Sequence, residues 1–96
     1  MALTKIIIER KIKPGMENEF KRLMQEVLSR AVHSDGFISG ETLQSVDDPT
    51  LYVTISQWKD ISFWNDWVNS TERKKRQEEY ERILSEPTRI LALRYE

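Results

Sequence analysis

Residues 52–67 read YVTISQWKDISFWNDW and contain all three tryptophans of the chain. The first half of this stretch is rich in β-branched and aromatic residues, which predicts a strand ending at Trp58. The second half predicts a short helix in which Trp64 and Trp67, three positions apart, share one face. Aromatic side chains this close together form either a lid over the sheet or one wall of a pocket for a flat ligand. The residue types leave both interpretations open.

Hydrophobic periodicity on either side of this stretch predicts four strands and three helices. The strands are predicted at residues 3–12, 37–46, 51–58 and 88–95, and the helices at residues 16–33, 61–69 and 71–85. The order β-α-β-β-α-α-β is the ferredoxin-like α+β pattern with an antiparallel sheet and one extra short helix. No linker or internal repeat interrupts this order, so residues 1–96 are expected to form a single domain.

The first strand predicts a homodimer. Its central residues Ile6, Ile7 and Ile8 are apolar on both faces of the sheet, whereas the helices are expected to cover only one face. A second sheet, from another copy of the chain, would cover the other face. The following residues, Glu9 to Lys11, indicate that the end of this strand reaches solvent.

The helix at residues 71–85 is polar, yet its best inward stripe includes Arg73 and Gln77 beside Tyr80 and Leu84. Two polar residues on an inward stripe are unusual for a helix that only closes a core. They suggest polar contacts for a ligand held against the tryptophans. Asn65 of the predicted short helix would supply a further contact. The predicted binding site therefore comprises Trp58, Trp64, Trp67, Asn65, Arg73 and Gln77.

The charge balance of the chain excludes several partner classes. Fifteen basic and 16 acidic residues are mixed along the sequence and give a net charge of -1, so nucleic acid and anionic membranes are not expected as partners. No apolar run approaches the roughly 20 residues of a membrane span, and no signal peptide is recognised. A cytoplasmic protein is expected.

The residue types also argue against a metal or cofactor. The chain has no cysteine and one histidine, His33. This residue is better explained by a favourable interaction with the C-terminal end of the helix dipole than by a role as a haem ligand or a general base. Three glycines leave no room for a phosphate-binding loop. We therefore expect no cofactor and no metal.

Four segments, KPG (13–15), GFISGE (36–41), QSVDDP (44–49) and QWKD (57–60), resemble the antibiotic biosynthesis monooxygenase family, and the resemblance covers nearly the whole chain. It implies a homodimer whose two sheets close into a dimeric α/β barrel, with a cleft between the sheet and the helices of each subunit. It also implies a cofactor-independent monooxygenase acting on an aromatic or quinol-like small molecule, in which the substrate itself supplies electrons to oxygen.

The resemblance leaves two alternatives, a non-catalytic protein that binds or senses haem or another planar ligand, and a dimer whose pocket is simply filled. A haem-degrading branch of the family has a Trp corresponding to Trp67, but its iron-ligating His corresponds to Gln77 and its Asn to Ile7 or Ile8. Haem breakdown is therefore not expected. Many other relatives carry a His near Trp67, and its absence leaves His33, a carboxylate or the substrate's own acidity to account for deprotonation.

Overall fold

A four-stranded antiparallel sheet in the order β2-β3-β1-β4 forms the base of the structure, a computed structural model that describes residues 2–95. The strands are β1 (Thr4–Lys11), β2 (Phe37–Gln44), β3 (Leu51–Trp58) and β4 (Arg89–Arg94). The helices are α1 (Glu17–Ala31), α2 (Ile61–Val68) and α3 (Thr71–Ile83). The predicted element order and ferredoxin-like fold are confirmed, and every predicted boundary lies within two residues of the observed one. Within residues 2–95, no helix has the length and apolar character needed to cross a membrane.

Helix α1 packs one apolar stripe onto the sheet. Phe20, Leu23, Val27 and Ala31 are buried on this stripe at the three- and four-residue spacing that the sequence predicts. The ring of Phe20 lies 4.3 Å from the ring of Tyr52 on β3, which anchors the helix over the centre of the sheet. This packing defines the buried side of the sheet.

Side-chain caps start both of the helices that follow β3. The carboxylate of Asp60 accepts a hydrogen bond from the backbone N–H of Ser62 at 3.1 Å and begins α2. Ser70 Oγ accepts from the backbone N–H of Arg73 at 3.2 Å and begins α3. The second cap fixes the position of Arg73 in the first turn of its helix.

Gly36 allows α2 to approach the start of β2. Its φ is +78°, in the left-handed region, and a Cβ added there would lie 2.2 Å from Cγ of Phe63. Only glycine satisfies both conditions, so this residue sets how closely the aromatic helix can pack against the sheet.

The two faces of the sheet differ in what covers them. On β3 the more polar face, with Thr54, Ser56 and Trp58, is buried beneath the helices, while Val53 and Ile55 point to the opposite side. Thr54 shares a hydroxyl hydrogen bond of 3.0 Å with Thr42 on β2, so its burial leaves the group satisfied. The opposite face, which we call the open face, carries the apolar side chains of Ile7, Leu43, Leu51, Val53, Ile55, Leu91 and Leu93.

The first strand stays buried on its helix-facing side to its end and beyond. Arg10 is only 2% exposed and Ile12 is fully buried. The prediction that the strand end reaches solvent was therefore wrong for Arg10. The physical reason is that Arg10 points inward in register with Tyr52 of β3, under the helices.

Candidate functional site

Two spaces on the helix-covered side of the sheet are each lined by two or more predicted site residues. The larger, which we call the groove, is about 720 Å³, runs between α3 and β4, and falls in the size range of small-molecule sites. The smaller, which we call the crevice, is about 40 Å³ and lies between α1, α2 and the centre of the sheet. Arg73 lines both spaces and therefore stands at the wall between them.

The groove combines apolar and polar walls. Val68, Leu84 and Ile90 supply apolar surface, and Arg73 and Gln77 line the same space. Its other charged lining residues are Lys74, Glu81 and Glu86. Apolar surface with a few convergent polar groups is the usual make-up of a small-molecule site.

A short chain of hydrogen bonds along the groove wall joins α3 to the segment before β4. Arg73 Nη1 donates to Gln77 Oε1 at 3.1 Å, and Gln77 Nε2 donates to Thr88 Oγ1 at 3.4 Å. Arg73 is 2% exposed, and burial lowers its pKa, although the nearby Tyr80 partly opposes that effect. The structure thus brings together two of the predicted site residues.

The three tryptophans form a packed cluster beside the crevice. Trp58, Trp64 and Trp67 are 1%, 6% and 9% exposed, and Trp58 meets Trp64 edge-to-face at 5.8 Å. Trp58 Nε1 donates to Ser56 Oγ at 3.1 Å, so its polar edge is satisfied. All three rings line the crevice, whose volume suits only two or three waters or a group of similar size. A direct stacking role for them stays a prediction.

The other predicted polar contact lies elsewhere. Asn65 is exposed and lines neither the groove nor the crevice. Each helical step rotates a side chain by about 100°, so the residue after Trp64 turns away from the face that Trp64 and Trp67 share. The structure therefore separates Asn65 from the other five predicted residues. Of those five, the tryptophans line the crevice but not the groove, Gln77 lines the groove but not the crevice, and Arg73 lines both.

Sequence reasoning missed a second buried guanidinium. Arg10 lines the crevice, and its guanidinium lies 4.2 Å from the centroid of the Tyr80 ring. Its Nε has no hydrogen-bond partner, and burial lowers its pKa to about 10. The signal was present in the sequence, because Arg10 continues the two-residue alternation of Ile6 and Ile8 on the helix-facing side of β1.

His33 lies apart from both spaces. It is exposed and borders a surface depression shared with Asp66 and Glu72. Over residues 2–95, no three or more histidine, cysteine or carboxylate side chains gather where a metal ion could be held. This histidine therefore adds nothing to the chemistry of the groove, whose carboxylates are those of Glu81 and Glu86.

Comparison with known proteins identifies the scaffold. The family model described as antibiotic biosynthesis monooxygenase matches residues 4–86. A conserved protein from Methanosarcina mazei Go1 superposes with a TM-score of 0.93 at 20% identity, over 100% of this chain and 95% of the other. A variant of SnoaB, a cofactor-independent oxygenase from Streptomyces nogalater, superposes with a TM-score of 0.88 at 13% identity, over 97% and 92%. At these identities the two structures show a shared fold.

The chain also matches a Streptomyces coelicolor protein in sequence. A 42.8 kDa protein in the whiE locus of Streptomyces coelicolor is 26% identical over 68 residues, which are 71% of this chain. The chain spans only 17% of the length of that relative.

Proposed function

The chain belongs to the antibiotic biosynthesis monooxygenase family, and from this premise we propose that it is a cofactor-independent monooxygenase acting on an aromatic or quinol-like small molecule. The observation that carries the proposal is the hydrogen-bonded pair Arg73 and Gln77 on the wall of a groove of about 720 Å³. The groove is large enough for a substrate of two or three fused rings, and its apolar walls suit such rings.

The proposed reaction needs only the substrate and O₂. A CH₂ group conjugated through an aromatic ring with a carbonyl loses a proton, and the resulting enolate oxyanion passes electrons to O₂. One oxygen atom bonds to the carbon and replaces its two hydrogens, and the other leaves with those hydrogens as water. The carbon gives up four electrons and O₂ accepts four, so CH₂ and O₂ become C=O and H₂O.

Arg73 and Gln77 would orient the substrate and stabilise its oxyanion. A buried guanidinium keeps its charge at neutral pH and acts more strongly in a dry site than in water. Gln77, also on α3, accepts a hydrogen bond from the guanidinium and fixes its position. Trp67 lines the crevice with Arg73 and would pack on the side of the guanidinium away from the groove. The tryptophans thus enter the proposal as the packed inner wall of the site.

A purified, metal-stripped protein assayed in an oxygen electrode with 1,8-dihydroxyanthrone tests this function. We expect O₂ consumption above the protein-free rate, with one anthraquinone formed for each O₂ consumed. Consumption that disappears after chelation and returns with added metal would contradict the cofactor-independent mechanism. So would a rate equal to the protein-free control for this anthrone.

The second candidate function is non-catalytic binding of a planar ligand. One observation favours it, namely that His33, the single histidine, does not line the groove. Haem is a poor fit as that ligand, because both ends of the Gln77 amide already bond to Arg73 and Thr88. Tight binding of the anthrone without O₂ consumption would favour this candidate over the enzyme.

We also propose that two copies of the chain associate through the open face. Leu43, Leu91 and Leu93 are 51%, 54% and 44% exposed there, and Ile7 is flanked by Ile55 and Leu91 on the neighbouring strands. An apolar surface spread over four strands is rarely left to solvent. A second sheet fits this face because it can present the same apolar rows in return.

The substitution Ile7→Asp should convert the dimer to a monomer. The carboxylate would lie at the centre of the open face between two aliphatic neighbours, where burial without a partner is strongly unfavourable. Sedimentation velocity at micromolar concentration measures the outcome. The matched control is Val46→Asp, because Val46 is 99% exposed. A wild-type protein that sediments as a monomer would contradict the proposed dimer.

A further inference from the structure

The crevice is lined by hydrogen-bond donors and apolar groups. Its polar side chains are the guanidiniums of Arg10 and Arg73 and the hydroxyls of Thr54 and Ser56. Ser56 Oγ already accepts from Trp58, so its O–H remains able to donate. Carboxylate and amide side chains are absent from the lining that the structure describes. The crevice therefore offers positive charge and donors to whatever occupies it.

Neither arginine has a charged partner within residues 2–95. No ion pair or hydrogen bond reaches the side chain of Arg10, and that of Arg73 bonds only to the neutral amide of Gln77. The Tyr80 ring under Arg10 compensates for part of its lost hydration. Two buried guanidiniums facing one space without a carboxylate are unfavourable in a protein that uses them only for packing.

We propose that the crevice is an anion subsite, in which Arg10 and Arg73 together bind a planar oxyanion such as a carboxylate, an enolate or a phenolate. Planar oxyanions match the fork of a guanidinium, and a space of about 40 Å³ admits such a group but not an aromatic ring. Two sources fit this chemistry, a free small anion and the ionised group of a larger ligand lying in the groove, which Arg73 also lines.

For the larger ligand, the inference rests on the proposed function and deepens it. A substrate bound through its anion has the pKa of its ionising group lowered by the two guanidiniums. Such a site needs no histidine base, in agreement with the position of His33 outside the groove and the crevice. The substrate class is then an aromatic molecule that carries an acidic C–H, O–H or carboxyl group.

Binding of matched charged and neutral probes tests the subsite without requiring turnover. The small pair is formate and formamide, and the large pair is 2-naphthoate and 2-naphthamide, each compared at constant ionic strength by thermal shift and by quenching of tryptophan fluorescence. We expect the charged member of at least one pair to bind about tenfold or more tightly than its neutral analogue, because charge-assisted hydrogen bonds are the stronger ones. Selectivity for formate indicates a free small anion, and selectivity for naphthoate alone indicates the ionised group of a larger ligand.

The variants Arg10→Met and Arg73→Met should each abolish this charge selectivity, whereas Arg89→Met should retain it. Arg89 is a suitable control because its side chain is 82% exposed and pairs with Glu9 across β4 and β1. Equal binding of the charged and neutral members of both pairs to the wild-type protein, including no binding, would overturn the anion subsite. Charge selectivity that survives in both methionine variants would also overturn it. The oxygen assay is separate, so failure of the proposed function is distinguishable from failure of this inference.

Discussion

Replacing Trp58 by alanine should destabilise the protein by roughly 3–5 kcal/mol, the range for truncating a buried aromatic side chain. Trp58 is 1% exposed and packs edge-to-face against Phe37 at 5.3 Å and Trp64 at 5.8 Å. Its removal leaves a cavity between β3 and α2 and leaves both neighbouring rings without a partner. Urea denaturation at a fixed protein concentration measures the loss, since the stability of a dimer depends on concentration.

The control for this substitution is Val46→Ala, which should change stability by less than about 0.5 kcal/mol because Val46 is 99% exposed. Trp67→Ala belongs in the same series. If Trp67 is a buried core residue, its substitution should lower the free energy of unfolding by about 3 kcal/mol or more. If Trp67 forms the wall of an open pocket, the decrease should be much smaller. A loss near 1 kcal/mol for Trp58→Ala would contradict the packed cluster described above.

Replacing Arg73 by glutamine should lower kcat/KM for the anthrone by roughly 10²–10³-fold, the effect of removing one preorganised donor from a developing oxyanion. The guanidinium lines both the groove and the crevice, so its loss removes charge from both sides of the proposed site. Steady-state O₂ consumption across a range of anthrone concentrations gives the ratio.

Lys75→Gln is the matched control for Arg73→Gln. It removes one positive charge from the same helix at an exposed position that lines neither space, so kcat/KM should stay within about twofold. Circular dichroism of both variants separates a loss of function from a loss of folding. An Arg73→Gln protein that folds and keeps kcat/KM within threefold of wild type would remove this residue from the proposed mechanism.

The fold was predictable because several sequence signals agree with one another. The alternation through β3 and the turn residues before it predicted Leu51–Trp58 with the observed bounds. Phe20, Leu23 and Val27 predicted which side of α1 is buried. The alternation of side chains along a strand does not determine which face of the sheet packs under the helices. On β3 the aromatic rings of Tyr52 and Trp58 fill the space under the helices, so the aliphatic face is left for another partner.

The site was only partly predictable. Arg73 and Gln77 were identified because a polar pair on an inward helical stripe is unusual. Arg10 was assigned to a solvent-exposed strand end because it is charged, although its alternation with Ile8 placed it inside. The closeness of Arg10 to Arg73 depends on how α3 lies across β1, and local sequence does not encode that arrangement.

Labelled oxygen gives the most direct test of the central claim, that the chain transfers one atom of O₂ to an ionised aromatic substrate without a cofactor. Metal-stripped protein would be incubated with 1,8-dihydroxyanthrone under ¹⁸O₂ in unlabelled water, and the product analysed by mass spectrometry. We expect one ¹⁸O atom in the new carbonyl of the anthraquinone, with formation faster than in protein-free buffer and much slower with Arg73→Gln. An unlabelled carbonyl, or labelled product formed no faster than without protein, would contradict the account.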